Sequence, residues 1–142
     1  MTIATILGDK GADIVSISPD RTVADAVVLL AERRIGAVPV LENGQVTGVF
    51  SERDVIRCLQ ERGSAALGDP VSAVMTAPAV TVGRDDSVLG ALSLMTRRRI
   101  RHLPVVEDGR VIGIVSIGDL VKYRIDRIEA EASAMRDYIQ QS

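Results

Sequence analysis

The polar side chains of this sequence that are best suited to bind a ligand or cap a helix belong to two Ser-x-x-Asp motifs. Ser51 and Asp54 form the first motif, and Ser116 and Asp119 form the second. Each motif follows a β-prone run and precedes a helical pattern, so the serine is expected to cap a helix whose first turn contains the aspartate. A carboxylate can also accept hydrogen bonds from two vicinal sugar hydroxyls at once. The spacing alone favours the capping role.

Both motifs belong to a long internal repeat. Residues 16–55 align with residues 81–120 at a constant offset of 65, without a gap, and 15 of the 40 aligned pairs are identical. A unit this short rarely buries its own apolar face, so the two copies are expected to pack about a pseudo-twofold axis with the core between them. A cleft that opens at such a junction would exist in two related versions.

Each copy is predicted to fold as β-α-β-β-α, which places the chain in the mixed α/β (α+β) class. In the first copy, a strand over 14–17 leads to a helix that starts at Thr22 and ends at Gly36. Asn43-Gly44 then predicts the turn of a β-hairpin, which a second helix follows. The second copy repeats this order, with a strand over 80–82 and a helix over about 88–99.

The repeat divides the chain into four parts. Residues 1–61 form the first repeat, 62–70 a linker rich in small residues and helix breakers, and 71–124 the second repeat. Residues 125–142 form a C-terminal helix, and the whole is expected to be one compact module.

Apolar residues of the terminal helix recur at alternating steps of three and four, as in the a and d positions of a coiled coil. This stripe consists of Ile125, Ile128, Ala132, Met135 and Ile139. Two interpretations are open, because two heptads are too few to establish a coiled coil. The helix packs on its own domain, or it meets a partner chain.

Composition limits the classes of function. A net charge of −2 and only 2% aromatic residues argue against a broad nucleic-acid footprint. One cysteine, Cys58, cannot form an intramolecular disulfide, and no secretory leader pattern opens the chain, so the cytoplasm is the expected location. No apolar run approaches the ~20 residues of a membrane span. A single histidine and a single cysteine leave no credible zinc site, and no Rossmann or P-loop glycine motif occurs.

The repeated segments resemble a known family. Residues 103–109 (Leu-Pro-Val-Val-Glu-Asp-Gly) and 111–120 (Val-Ile-Gly-Ile-Val-Ser-Ile-Gly-Asp-Leu) are similar to the core pattern of a cystathionine-β-synthase (CBS) domain, and residues 37–55 contain the first copy. A tandem pair is called a Bateman module. The resemblance covers nearly the whole chain. It implies a regulatory fold that binds AMP, ADP, ATP, S-adenosylmethionine or NAD(H) between the repeats, and that commonly pairs as a disc-shaped homodimer.

The resemblance also assigns roles to the two Ser-x-x-Asp motifs. In CBS domains the aspartate at this position binds the ribose hydroxyls, which implies that role for Asp54 and Asp119. The hydroxyl residue three positions earlier lies near the sugar or the phosphate, which implies that role for Ser51 and Ser116. Capping and ligand binding are compatible for each serine.

Phosphate contacts are implied for Arg101 and His102, and for Arg53 in the first copy. The positions of Arg101 and His102 are occupied by Gly36 and Ala37 in the first copy, so the two clefts should differ. Each contact has an alternative: Arg101 as part of a solvated helix end, His102 as a satisfied, partly buried side chain, and Arg53 as a surface ion pair with the neighbouring aspartate. The adenine slot implied by family position consists of Ile17, Val49, Val80, Val82 and Ile114.

The expected function is therefore that of a non-catalytic sensor of an adenosine-containing ligand, read by an unknown downstream protein. A ligand-free interaction scaffold is the main alternative, and nucleic-acid binding ranks below it. An activity related to inosine-monophosphate dehydrogenase is also less favoured, because catalysis there belongs to a separate barrel for which this chain has no room. Cys58 has no histidine near it in sequence, so no catalytic residue and no catalytic cofactor are expected.

Overall fold

The computed structural model describes residues 1–10 and 14–141, and its elements follow the internal repeat. The first repeat contains β1 (Ala37–Glu42) and β2 (Gln45–Ser51) between α2 (Val23–Arg33) and α3 (Glu52–Arg62). The second contains β3 (His102–Glu107) and β4 (Arg110–Ser116) between α5 (Val88–Arg98) and α6 (Ile117–Gln141). Two short helices, α1 (Ile3–Lys10) and α4 (Val71–Val74), precede the repeats, and a 3-10 helix, Gly63–Gly68, lies in the predicted linker. The mixed helix-and-strand class is confirmed.

Both predicted hairpins are present as two-stranded antiparallel sheets, β1 with β2 and β3 with β4. The turn residues Asn43 and Gly44 have φ values of 54° and 80°, and Asp108 and Gly109 have φ values of 52° and 78°. Two consecutive left-handed residues form the turn type whose twist matches that of the flanking strands. The Asn-Gly and Asp-Gly pairs therefore fix both hairpins locally.

The strands predicted to begin each repeat are much shorter than expected. Ile17 forms one parallel bridge with Val40, and Val82 forms one with Val105. The Ile17 N–H donates to the carbonyl of Pro39, but extension toward residue 15 needs an N–H at position 39, and proline has none. The equivalent proline of the second repeat has the same effect.

The first long helix begins as predicted but ends earlier. The Thr22 hydroxyl accepts from the Asp25 N–H at 3.1 Å, and the Asp25 carboxylate accepts from the Thr22 N–H at 3.3 Å. The predicted end at Gly36 is wrong: Arg34 adopts a left-handed conformation with φ of 54°, and its N–H caps the last turn. In the second repeat, Arg99 ends α5 in the same way, close to the predicted boundary.

Buried apolar residues form two clusters, one in each repeat, so the single core expected between the copies is wrong. Each cluster includes the short helix that precedes the other repeat. Ile3 and Ile6 of α1 lie in the second core, and Val71 of α4 lies in the first. Backbone bridges repeat this relation, since Thr2 pairs with Ser87 and Thr22 pairs with Pro70. The exchange relates the two halves by a pseudo-twofold axis.

Two glycines allow other segments to cross the hairpins closely. A Cβ added at Gly48 would lie 2.7 Å from the Met75 sulfur and 2.8 Å from the Thr76 carbonyl oxygen. A Cβ added at Gly113 would lie 2.7 Å from the end of the Leu7 side chain. Both glycines therefore pack closely against a segment outside their own hairpin, and β2 and β4 also contact each other, which joins the two sheets.

The terminal helix α6 packs on the second repeat only over its first two turns. Leu120 is fully buried and Arg124 is half-buried, whereas every residue from 125 to 141 is exposed. The interpretation in which the whole terminal helix packs on its own domain is therefore wrong. Among the helices of the described residues, none combines the length and the apolar character that crossing a bilayer requires.

Candidate functional site

A cleft opens between the two repeats, where the end of β2 and the start of α3 face the residues that precede β3. It encloses about 740 Å³, part of which is open solvent. Six residues predicted for the site line it, namely Val49, Ser51, Arg53, Val80, Arg101 and His102. Five further residues complete the lining, namely Gly36, Glu52, Thr76, Ala79 and Ile100.

The other six predicted residues lie outside the lining of this cleft. Ile17 and Val82 are buried in the two cores, which the single bridge made by each explains. Ile114, Ser116 and Asp119 lie on β4 and α6, at positions equivalent by the repeat to Val49, Ser51 and Asp54. Asp54 is buried behind the cleft wall.

Positive charge from both repeats converges on the cleft. Arg53 is on the first turn of α3, while Arg101 precedes β3 and His102 begins it. An Arg53 guanidinium nitrogen donates to the Arg99 carbonyl at 2.7 Å, which ties the first repeat to the end of α5. The alternative in which Arg53 forms an ion pair with Asp54 is wrong, because the arginine that pairs with Asp54 is Arg57.

Gly36 makes room for the histidine of the other repeat. A Cβ added at Gly36 would lie 3.2 Å from the Cε1 and Nε2 atoms of His102 and 3.7 Å from the Glu52 carboxyl carbon. His102 is half-buried and also lines the cleft, so its partial burial is compatible with the phosphate contact that the resemblance implies. The first repeat has Gly36 where the second has Arg101, and the missing side chain at position 36 leaves room for the His102 imidazole in the cleft.

Asp54 is only 2% exposed, and both of its carboxylate oxygens are occupied. One accepts from the Ser51 N–H at 2.9 Å and from the Ser51 hydroxyl at 3.1 Å. The other accepts from Arg57 at 2.7 Å and from the Thr76 hydroxyl at 3.0 Å. These bonds use the acceptor capacity of the carboxylate. In this conformation Asp54 caps α3 and ties the helix to the segment after α4.

The second motif has the same capping geometry with a more exposed aspartate. The Asp119 carboxylate accepts from the Ser116 N–H at 2.8 Å, and the Ser116 hydroxyl accepts from the Asp119 N–H at 3.1 Å. Asp119 is half-buried, unlike Asp54. The two repeats therefore present the same motif with different access to solvent.

Among the lining residues that sequence reasoning missed, Thr76 makes the most contacts with the predicted ones. Its N–H and carbonyl exchange 2.9 Å hydrogen bonds with those of Val49, so the segment after α4 forms one wall of the cleft. The pairing joins residues far apart in sequence, and no local pattern announces it. A weak local signal is Pro78, which disfavours a helical conformation at Ala77.

Comparison with known proteins finds the same repeat. The family model of the CBS domain matches residues 10–61 and 71–126. The chain is 34% identical to a mitochondrial CBS domain-containing protein of Arabidopsis thaliana, over 98% of this chain and 72% of that protein. A crystal structure of a CBS-domain containing protein from Agrobacterium tumefaciens has a TM-score of 0.83 and 39% identity, over 87% and 92% of the two chains.

A second similar structure contains a ligand. It is a CBS domain protein from Pyrobaculum aerophilum complexed with AMP, with a TM-score of 0.74 and 28% identity, over 84% of this chain and 89% of that one. An inosine-5'-monophosphate dehydrogenase of Methanocaldococcus jannaschii is 32% identical, but the match spans 79% of this chain and only 22% of the enzyme. The similarity to that enzyme is therefore confined to a minor part of it.

Proposed function

This chain belongs to the CBS-domain family, and on that basis we propose that it is a non-catalytic regulatory module that binds an adenosine-containing nucleotide between its two repeats. The observation that carries the proposal is the cleft in which Arg53, Arg101 and His102 face an apolar wall. The AMP complex of the similar Pyrobaculum aerophilum protein supports the same class of ligand. AMP, ADP, ATP and NAD(H) are the candidates, and no catalytic cofactor is included.

The lining of the cleft suits the two ends of such a ligand. Val49, Val80 and Ile100 offer apolar surface to the faces of an adenine ring, while the backbone nearby offers polar groups to its edge. Arg53 and Arg101 offer charge-assisted hydrogen bonds to phosphate.

Ribose recognition by Asp54 requires a local exchange of hydrogen bonds. Its carboxylate would give up the Thr76 hydroxyl or Arg57 to accept from the sugar, with Ser51 beside it. Because Thr76 lies on the segment that leads from α4 into the second repeat, this exchange would couple ligand binding to the angle between the repeats. Asp119 and Ser116 would act in a second, related cleft. That cleft would take part of its adenine surface from Ile114, the counterpart of Val49, whereas Ile17 and Val82 are buried in separate cores.

Thermal unfolding with a panel of nucleotides tests the proposal. Millimolar AMP, ADP, ATP, NAD+, NADH and S-adenosylmethionine are compared with GTP. A ligand that binds only the native state at 100 times its dissociation constant adds about 2.7 kcal/mol to the free energy of unfolding. We expect a rise in Tm with an adenine ligand and none with GTP. No shift with any ligand would favour the interaction scaffold instead.

The phosphate contact predicts a selective loss in Arg101→Ala. Removing this guanidinium should weaken AMP binding by about 10- to 100-fold, because charge-assisted hydrogen bonds are lost, and should leave adenosine binding unchanged. Arg97→Ala is the matched control, since Arg97 is exposed on α5 and does not line the cleft. Isothermal titration with AMP and with adenosine measures both. Equal losses for the two arginine variants would remove Arg101 from the site.

The proposal extends to assembly and location. The module is proposed to pair as a homodimer, to act on an unknown downstream protein and to work in the cytoplasm. Division into repeats at 1–61 and 71–124, with a linker at 62–70 and a terminal helix at 125–142, belongs to the same proposal. A change in the angle between the repeats would reach the partner through the dimer.

A further inference from the structure

The exposed part of α6 presents one continuous apolar stripe. Ile125 and Ile128 are each 49% exposed, Met135 is 60% exposed and Ile139 is 64% exposed. Ala132 completes the a and d positions, and Val121, 41% exposed, extends the stripe toward the module by one turn. Six positions in a 3-4 spacing over about 27 Å of helix match the a and d pattern of a coiled-coil seam.

The stripe does not face the module from which the helix emerges. Leu120, which is fully buried, marks the side of α6 that packs on the second repeat. At about 100° per residue, the stripe is centred roughly a quarter turn away from Leu120. A second helix can therefore lie along the stripe without displacing the contacts of α6 with its own repeat.

The charges beside the stripe select both the partner and its direction. With Ile125 at position a, Arg124 and Glu131 occupy g positions, while Glu129 and Arg136 occupy e positions. In a parallel, in-register pair each g residue faces the e residue five positions later in the other helix. Arg124 then meets Glu129 of the second copy, and Glu131 meets Arg136 of the second copy.

An antiparallel pair has the opposite charge pattern. In the antiparallel register that overlaps all six apolar positions, the two helices cross near residue 130. Glu129 then faces Glu129 of the second copy on one side of the seam, and Glu131 faces Glu131 of the second copy on the other side. Glu131 also contacts Arg127 of its own helix at 3.6 Å, in an exposed pair that leaves carboxylate lone pairs for another donor.

We propose that α6 forms a parallel, in-register, two-stranded coiled coil with α6 of a second copy of this chain. The contact is separate from nucleotide binding in the cleft and does not depend on it. It places the two second repeats side by side at the same end of the coil. Because the seam is short, we expect the fraction of paired helices to rise with protein concentration.

Disulfide cross-linking of the full chain tests the register and the direction. In a parallel, in-register coil, position 132 lies opposite itself, so Ala132→Cys should form a covalent dimer on mild oxidation. Ser133→Cys is the matched control, because position b points away from the seam. The native Cys58 is only 3% exposed and gives little background. Non-reducing electrophoresis should show several-fold more dimer for Ala132→Cys. Equal yields, or cross-linking only between Ala132→Cys and Ile128→Cys chains, would overturn the proposal.

Sedimentation velocity on charge variants tests the partner. Glu129→Arg places like charges opposite Arg124 and should weaken dimerisation several-fold, and adding Arg124→Glu should restore it. Ile128→Asp should weaken it further while leaving the thermal shift with nucleotide intact, which separates this proposal from the proposed function. A monomeric wild-type chain, or a dimer that Ile128→Asp leaves unchanged, would refute the coiled coil.

Discussion

Replacing Asp54 with alanine should lower the free energy of unfolding by about 3 kcal/mol, because it removes the acceptor of four hydrogen bonds at a buried position. The Ser51 N–H and hydroxyl would lose their partner at the start of α3. The Thr76 hydroxyl and Arg57 would lose their contacts across the cleft wall. Arg57 is half-exposed and can turn to water, so its share of the loss is small.

Urea unfolding of Asp54→Ala and Asp119→Ala measures the effect with an internal control. Asp119 has the same capping position in the second repeat but is half-buried, so its replacement should cost about 1 kcal/mol. Equal losses in the two variants would mean that the network around Asp54 adds nothing to its cap. Asp54→Asn keeps the shape of the side chain and serves in the ligand measurements if Asp54→Ala unfolds.

Replacing Gly48 with alanine should lower the free energy of unfolding by about 2 kcal/mol, because the new methyl group overlaps the backbone of another segment. The Thr76 carbonyl oxygen, 2.8 Å from the new Cβ, accepts a hydrogen bond from the Val49 N–H and cannot move alone. Since Val49 and Thr76 line the cleft, the variant should also bind nucleotide more weakly.

Gly113→Ala is the matched control in the second repeat. Its methyl group meets only the end of the Leu7 side chain, which can rotate away, so the cost should stay below about 1 kcal/mol. Thermal unfolding of the two variants, each with and without AMP, separates the effects on stability and on the cleft. A Gly113→Ala variant as unstable as Gly48→Ala would show that the backbone contact is not the cause.

Local patterns sufficed for the elements whose cause is local. The Asn-Gly and Asp-Gly turns fixed both hairpins, and Thr22 with Asp25 fixed the start of α2. Where long-range contacts decide the structure, local patterns failed. The strand before each helix shrank to one bridge because of the proline opposite it, and Gly36 serves the approach of His102 rather than the end of a helix.

The candidate site could be predicted from the sequence only in part, for the same reason. The family resemblance implied phosphate contacts for Arg53, Arg101 and His102, and all three line one cleft. The burial of Asp54 depends on Arg57 and on Thr76, which lies 22 residues away on the other wall. No spacing in the sequence predicts the contact between Thr76 and Asp54. The ribose role implied for Asp54 therefore took no account of the hydrogen bonds that occupy its carboxylate.

The exchange of α1 and α4 makes the two halves mechanically inseparable. Neither half completes its core from its own consecutive residues. Ile3 and Ile6 of α1 fill the core of the second repeat, and Val71 of α4 fills the core of the first repeat. Val71 is also five residues from Thr76, so the cleft wall is anchored in the first core. A small molecule that moved this wall would therefore act on the first core as well as on the surface of the cleft.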